Sequence, residues 1–222
     1  MLNPPGDPQY MAMALALSER GRGRTGANPN VGCVIVKQGV IIGRGWTQPG
    51  GRPHAEEMAL AQAGASAKGA EIYVTMEPCA HESARGPTCS NAIIDAKPKR
   101  VIVATLDADE RTRRRGIDRM GDAGIPVSVG IREPEARRAM AGFLSRVEKA
   151  RPFVTLKLAL SLDGCIAMAD GSSQWITGDR ARAHAHLERA RSDAILVGAG
   201  TAKADRPTLD VRTDGLTDRS PQ

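Results

Sequence analysis

The sequence has very few aromatic residues, with two Trp, two Tyr and two Phe among 222 residues. Aliphatic side chains must therefore build most of its core. It has no uninterrupted apolar run of the roughly 18 residues that a membrane-spanning helix needs. Its first residues, Met1 to Gly6, lack the basic start and apolar stretch of a secretory signal. We therefore expect a cytoplasmic protein with no membrane partner.

Cysteine is also sparse, at four residues. A small number of cysteines with no secretory signal is typical of a reduced, cytosolic chain rather than a disulfide framework. Cys33 lies in the apolar run from Val31 to Val36, which predicts a buried strand residue. Two of the other cysteines occur in a pattern that suggests a different role.

That pattern combines His54-Ala55-Glu56 with Glu77-Pro78-Cys79 and, further on, Cys89. One imidazole and two thiolates can hold a tetrahedral Zn²⁺ that keeps its fourth position open for water. His-x-Glu followed by Pro-Cys-x-x-Cys is the signature of zinc deaminases, in which the glutamate moves protons without binding the metal. Here nine residues separate the cysteines instead of two. Buried, inert cysteines are the simpler alternative, but three ligand types at this spacing favour a metal site.

A net charge of +6 raises the possibility of nucleic-acid binding. Part of the excess lies in the run Arg111 to Arg115, a composition typical of a solvated loop or helix start. A basic surface also suits a small substrate that carries phosphate. We expect a small-molecule substrate and no nucleic-acid partner, and the functions of Arg85 and of the arginine run stay open.

Hydrophobic periodicity predicts alternating strands and helices. The predicted helices lie at 8–19, 54–65 and 89–96, with another ending at 120–124, and the predicted strands lie at 33–36, 40–42, 71–76, 100–105 and 125–129. This alternation favours an α/β domain with helices on both faces of a sheet, covering residues 1–148. Asn28, before a proline, is either a turn residue or an amide that binds a base edge.

A second domain is predicted from Pro152 to Gln222, after the Arg151-Pro152 boundary. Its patterns predict strands at 154–158 and 194–197 and a helix at 179–191. The polar tail from Thr213 is expected to be loose.

Several of these motifs together resemble the bifunctional riboflavin-biosynthesis deaminase–reductases. They are Asn28-Pro29, Pro53-His54-Ala55-Glu56, Glu77-Pro78-Cys79-Ala80-His81, Val154-Thr155-Leu156-Lys157, Ser161-Leu162-Asp163-Gly164, Gln174-Trp175-Ile176-Thr177 and Ala194-Ile195-Leu196-Val197-Gly198. The resemblance implies a three-layer αβα cytidine-deaminase-like domain followed by the first part of a dihydrofolate-reductase-like α/β domain. It also implies deamination of 2,5-diamino-6-(5-phosphoribosylamino)pyrimidin-4-one and NADPH-dependent reduction of the product's ribosyl group.

The resemblance carries site residues with it. It implies zinc ligands at His54, Cys79 and Cys89, a catalytic proton shuttle at Glu56, and deaminase substrate contacts at Asn28, His81 and Arg85. In the second domain it implies NADPH contacts at Ala159, Trp175, Thr201 and Asp205, and substrate contacts at Ser173, Arg189, Leu209 and Arg212.

Two departures from the family qualify these expectations. The loop Ser83 to Thr88 is longer than in many relatives, and relatives continue well beyond Gln222 with later strands and a glycine-rich segment near the cofactor phosphates. We therefore expect an incomplete reductase domain with weak or absent NADPH binding. The alternatives are a nucleoside or tRNA deaminase and a non-catalytic zinc-stabilised binding module. The sequence does not determine the oligomeric state, and a homo-oligomer is compatible with it.

Overall fold

The computed structural model describes residues 6–81, 88–110, 112–219 and 221. The chain divides into two compact units, Met1–Phe153 and Val154–Gln222.

The first unit alternates strands and helices. Its strands are β1 (Gly32–Lys37), β2 (Val40–Trp46), β3 (Glu71–Met76), β4 (Arg100–Thr105) and β5 (Val127–Val129). Its helices are α1 (Asp7–Ser18), α2 (Ala55–Ala63), α3 (Cys89–Ala96), α4 (Arg115–Asp122), α5 (Glu133–Ala139) and α6 (Ala141–Lys149). The helix predicted at 54–65 ends earlier, at Ala63, where a 3-10 turn covers Gly64–Ala67. Helices α5 and α6 were not predicted.

The strands form one sheet in the order β2-β1-β3-β4-β5. The hairpin β1–β2 and the β1–β3 pair are antiparallel, whereas β3–β4 and β4–β5 are parallel. A parallel pair needs a crossover connection, which α3 supplies between β3 and β4. The carboxyl ends of these two strands therefore lie side by side.

Two glycines show that helices cover both faces of the sheet. A Cβ atom placed on Gly32 would lie 1.9 Å from the carbonyl oxygen of Ala14 in α1. One placed on Gly45 would lie 2.0 Å from the carbonyl oxygen of Ala55 in α2. Gly45 pairs with Cys33, and neighbouring strand residues face opposite sides. Helices α1 and α2 thus pack on opposite faces, which confirms the predicted three-layer αβα arrangement.

A polar network ties α1 to the amino ends of the central strands. The guanidinium of Arg100 donates to both carboxylate oxygens of Asp7, at 2.8 and 2.6 Å. The hydroxyl of Tyr73 donates to Asp7 at 2.7 Å, and Arg100 also donates to Glu71 at 3.1 Å. Asp7 is 1% exposed. A charge this deeply buried is tolerated because it is paired and hydrogen-bonded.

The second unit contains two described helices, α7 (Asp179–Ala190) and α8 (Ala199–Asp205). The predictions of strands at 154–158 and 194–197 are wrong: residues 154–219 contain no strand in the described structure. A strand requires a hydrogen-bonded partner, and these segments have none there. Several of their apolar side chains remain exposed, with Val154 and Leu156 each at 79% and Leu196 at 97%. Helix α7 was predicted, whereas α8 was not.

Within this unit, the segment after α8 contacts α7. Arg189 donates to the carbonyl oxygen of Asp210 at 3.1 Å, and the backbone N–H of Arg212 donates to Nδ1 of His186 at 3.2 Å. Val211 is buried between these contacts at 5% exposure. Among all the residues described, no helix is both long and apolar enough to cross a bilayer.

The contact between β1 and α1 leads to a stability prediction. Gly32→Ala forces a methyl group against the Ala14 carbonyl, so we expect the free energy of unfolding to fall by about 1–3 kcal/mol. Urea denaturation followed by circular dichroism measures this loss. Gly121→Ala in α4 is the matched control, because a Cβ there meets nothing within 4 Å. Since alanine favours helix over glycine, the control should not destabilise the protein. An unchanged Gly32→Ala variant would contradict the close approach of α1.

Candidate metal centre

His54 is the N-cap residue of α2, with an extended backbone at φ −73° and ψ 164°. Its backbone N–H donates to Oε1 of Glu57, one turn into the helix, at 3.2 Å. Arg52 donates to the same carboxylate oxygen at 2.8 Å. Glu57 therefore fixes the backbone from which the imidazole projects.

The two cysteines approach each other from different elements. Cys79 lies in the segment after β3, and Cys89 is the first residue of α3. The backbone N–H of Cys89 donates to Sγ of Cys79 at 3.4 Å, and that of Ser90 donates to the Cys79 carbonyl at 3.1 Å. The first amides of α3 thus hold the Cys79 segment, and free amides at a helix start favour a thiolate.

The three side chains bring one nitrogen and two sulfur atoms together. Nδ1 of His54 lies 3.2 Å from Sγ of Cys89 and 3.6 Å from Sγ of Cys79. All three ligand atoms lie within 4.8 Å of one another. With Zn–S bonds of about 2.3 Å and Zn–N bonds of about 2.0 Å, a tetrahedral ion needs ligand atoms about 3.5–3.8 Å apart. The donor set and its spacing fit zinc.

The pKa values of the two thiols shift in opposite directions. A hydrogen bond from Cys89 and the nearby imidazole lower the pKa of Cys79 to about 4, although burial opposes this shift. The hydrogen bond to Cys79 and burial raise the pKa of Cys89 far above its usual value. These shifts favour the thiolate form of Cys79 and the thiol form of Cys89.

Glu56 lies in the first turn of α2 and is 4% exposed. Burial, reinforced by the charge of Cys79, raises its pKa to about 7. Burial alone would lower the pKa of His54, but its hydrogen bond to Cys79 and the charge of Glu56 raise it overall. A carboxyl group with a pKa near neutrality is suited to both accept and donate a proton.

The three residues predicted to contact the deaminase substrate lie in different surroundings. Asn28 forms a turn with Thr25, whose hydroxyl donates to the Asn28 carbonyl at 2.7 Å. Its amide Nδ2 donates to the Thr25 carbonyl at 3.3 Å. It also lies where a Cβ on Gly51, three residues before His54, would clash with it. His81 is exposed, and Arg85 lies outside the described residues. Substrate binding by these three residues stays a prediction.

The second-unit candidates lie in several separate segments. Arg189, Leu209 and Arg212 lie together through the contacts between α7 and residues 208–212. Ser173 and Trp175 precede α7, with Trp175 70% exposed and the Arg182 guanidinium 4.6 Å from its ring centroid. Thr201 and Asp205 are exposed on α8, and Ala159 is partly buried. Cofactor and substrate binding by these residues also stays a prediction.

The sequence reasoning missed the residues that support the cysteine ligands. Glu77 is 5% exposed, yet it is a carboxylate two residues before Cys79. A charged residue immediately after a buried strand was the available signal, because a buried carboxylate must be paired or hydrogen-bonded. Arg119 also reaches the start of α3, and nothing in its local sequence indicates this.

Comparison with known families divides the chain in the same order. Residues 5–105 match the cytidine and deoxycytidylate deaminase zinc-binding region. Residues 152–222 match the RibD C-terminal domain. The chain is 47% identical over 206 residues to the riboflavin biosynthesis protein RibD of Aquifex aeolicus, and 49% identical over 214 residues to that of Escherichia coli. The chain belongs to the RibD family of riboflavin-biosynthesis proteins.

Solved RibD structures agree with this assignment. RibD of Acinetobacter baumannii superposes with a TM-score of 0.81 at 45% identity, over 93% of this chain and 58% of that one. A diaminohydroxyphosphoribosylaminopyrimidine deaminase/5-amino-6-(5-phosphoribosylamino)uracil reductase from Thermotoga maritima gives 0.86 at 39% identity, over 94% and 60%. The chain spans 58% of the length of the Aquifex and Escherichia RibD proteins. It thus combines a deaminase zinc-binding region with a segment of the RibD C-terminal domain.

The ligand geometry predicts which cysteine variants lose metal. Cys79→Ala removes one of the two sulfur donors, so we expect purified protein with little or no zinc, against one ion per chain in the unaltered protein. Metal content by inductively coupled plasma mass spectrometry measures the difference. Cys165→Ala is the matched control, because Cys165 is exposed and lies in the other unit. Full zinc content in the Cys79 variant would rule out this ligand set.

Proposed function

We propose that this RibD family member catalyses the zinc-dependent hydrolytic deamination of 2,5-diamino-6-(5-phosphoribosylamino)pyrimidin-4-one in riboflavin biosynthesis. The observation that carries the proposal is the convergence of His54, Cys79 and Cys89 beside a buried Glu56. Three protein ligands leave a fourth position of a tetrahedral ion open, as in catalytic rather than structural zinc sites.

The proposed role of each residue follows from the chemistry of its side chain. His54, Cys79 and Cys89 would hold the zinc ion, which when bound lowers the pKa of a coordinated water toward neutrality. Glu56 accepts a proton from the attacking water and delivers it to the ring nitrogen next to the reacting carbon. Glu56 then takes the remaining proton of the hydroxyl group now attached to that carbon and delivers it to the amine, so that the C–N bond breaks, ammonia leaves and a carbonyl group forms. One carboxyl group can carry both steps because it accepts a proton in one step and donates it in the next.

The packing of α2 on the sheet also restrains the position of Glu56. As the second residue of α2, it starts one residue beyond Ala55, whose backbone packs on Gly45 of β2. The packing of α2 on the sheet thus restrains the helix turn that carries Glu56. A carboxylate held in this way moves protons over a short, fixed path, and such positioning is a large part of catalysis.

The second domain suggests the second reaction of the whole protein. Residues 152–222 match the RibD C-terminal domain, so we propose that the whole protein also reduces the ribosyl group of the deaminated product with NADPH. The cofactor supplies the hydride, and the protein supplies binding and orientation. Arg189 and Arg212 lie close together and offer charged donors for the phosphate or polar groups of that substrate.

The deamination proposal predicts the behaviour of Glu56→Gln. Glutamine preserves the side chain's size but cannot accept the proton, so we expect ammonia release from the phosphoribosylated diaminopyrimidinone to fall by about 10²–10⁴-fold. Zinc content should be unchanged, because Glu56 is not a ligand. A coupled ammonia assay on zinc-loaded protein measures the rate.

Glu135→Gln, in α5, whose carboxylate pairs with Arg132 at 3.0 Å, is the charge-matched control and should keep full activity. Cytidine and adenosine in tRNA are assayed beside the proposed substrate. A Glu56→Gln rate within tenfold of the unaltered protein would remove Glu56 from the mechanism. Comparable turnover of cytidine or tRNA adenosine would favour the alternative deaminases, and zinc binding without ammonia release from any substrate would favour a binding module.

The structure of residues 154–219 leads to a further prediction. These residues contain two helices and no strand, whereas an α/β nucleotide-binding domain needs a covered sheet. We expect the 222-residue chain to show no NADPH oxidation with the deaminated substrate. An absorbance assay at 340 nm, with the full-length RibD of Escherichia coli as positive control, tests this. Oxidation within an order of magnitude of that control would show that residues 152–222 suffice.

A further inference from the structure

The carboxylate of Glu77 accepts hydrogen bonds from several backbone amides in a later part of the chain. It accepts backbone N–H groups from Asp107 at 3.2 Å, Arg114 at 2.9 Å, Gly116 at 3.0 Å and Ile117 at 3.4 Å. A carboxylate offers about four lone-pair sites, so these four donors satisfy it. Three of them lie at the start of α4, where a negative charge also suits the helix dipole.

This contact brings α4 against the backbone that carries Cys79. The backbone N–H of Glu77 donates to the Thr105 carbonyl at 2.9 Å, continuing the β3–β4 pairing past the strand ends. Gly116 approaches so closely that a Cβ there would lie 2.0 Å from the Pro78 carbonyl oxygen. Cys79 is the next residue. Its position therefore depends on where α4 begins.

The same helix reaches the second cysteine one turn further along. Nη1 of Arg119 lies 3.2 Å from Oδ1 of Asn91 and 3.4 Å from Oγ1 of Thr88. Thr88 is the N-cap residue of α3, and its hydroxyl accepts the backbone N–H of Asn91 at 3.3 Å. Cys89 follows it directly. Helix α4 thus contacts the residues that directly precede Cys79 and Cys89 in the chain.

We propose that Glu77 and Arg119 are positioning residues that hold Cys79 and Cys89 at the separation that zinc requires, with α4 as the rigid spacer between them. Neither side chain touches the metal. The proposal rests on the zinc site of the proposed function and extends it to residues outside the ligand set. Groups that orient metal ligands typically contribute 10–100-fold in metal affinity.

Zinc affinity of the intact 222-residue chain, measured by competition with a chromophoric chelator, tests this. We expect Glu77→Gln to lower zinc affinity by about 10–100-fold, because an amide cannot accept four N–H donors. We expect Arg119→Met to lower it by about tenfold. Arg115→Met is the matched control, since it makes the same charge change at an exposed position of the same helix and should bind zinc normally.

A spectroscopic readout separates positioning from general destabilisation. Co²⁺ in a site with two thiolates has visible bands that report ligand geometry, so we expect Glu77→Gln and Arg119→Met to shift them. Tyr73→Phe removes a buried hydrogen bond to Asp7 at the amino end of β3 and should lower the melting temperature without shifting the Co²⁺ bands.

The outcomes are distinct. Failure of the unaltered chain to bind zinc would refute the proposed function itself. Normal zinc binding by the unaltered chain, together with equal affinity and unshifted bands in Arg119→Met, would overturn the positioning proposal alone. An equal loss of affinity in Tyr73→Phe or Arg115→Met would overturn it too, because stability or net charge would then explain the effect. Should Glu77→Gln fail to fold, the comparison of Arg119→Met with Arg115→Met decides the question.

Discussion

The parallel pairing of β3 with β4 is the constraint on which the candidate metal centre depends. Because these strands run in the same direction, Met76 pairs with Thr105 and both strands end at the same edge of the sheet. The segment that carries Cys79 therefore lies beside the segment that leads into α4. With one strand reversed, the amides that bind Glu77 would lie at the far end of the sheet. The strand topology thus brings the segment that carries Cys79 next to the segment that leads into α4.

The candidate metal centre also requires close contact between α2 and the sheet. The scarcity of aromatic residues is consistent with such close contact. Helix α2 approaches β2 so closely that Cβ atoms on Gly43 and Gly45 would meet the carbonyl oxygens of Ala59 and Ala55. Small residues on both surfaces permit this distance, and dense packing then resists displacement. Since His54 and Glu56 lie at the start of α2, the sheet fixes one ligand and the carboxyl group together. A larger side chain in β2 would move both at once.

Sequence patterns predicted the helices and strands whose formation depends on local chemistry. The strands at 71–76 and 100–105 and the helix at 89–96 have the predicted bounds, because β-branched runs and a Thr88 cap act locally. The strand predicted at 154–158 was wrong because strand formation needs a partner elsewhere, however suitable the residues. The contact of Arg119 with Thr88 spans 31 residues and depends on how two helices meet, so no local pattern could reveal it.

Because the Cys89 thiol favours its protonated form, metal uptake at this buried site exchanges a proton for a cation. Without metal, the hydrogen bond to Cys79 and burial raise the pKa of Cys89, and burial raises the pKa of Glu56 to about 7. A dication that binds two thiolates must expel the thiol proton, so its affinity rises as the solution becomes more alkaline. Metal uptake at this site is therefore coupled to the release of protons to the solution.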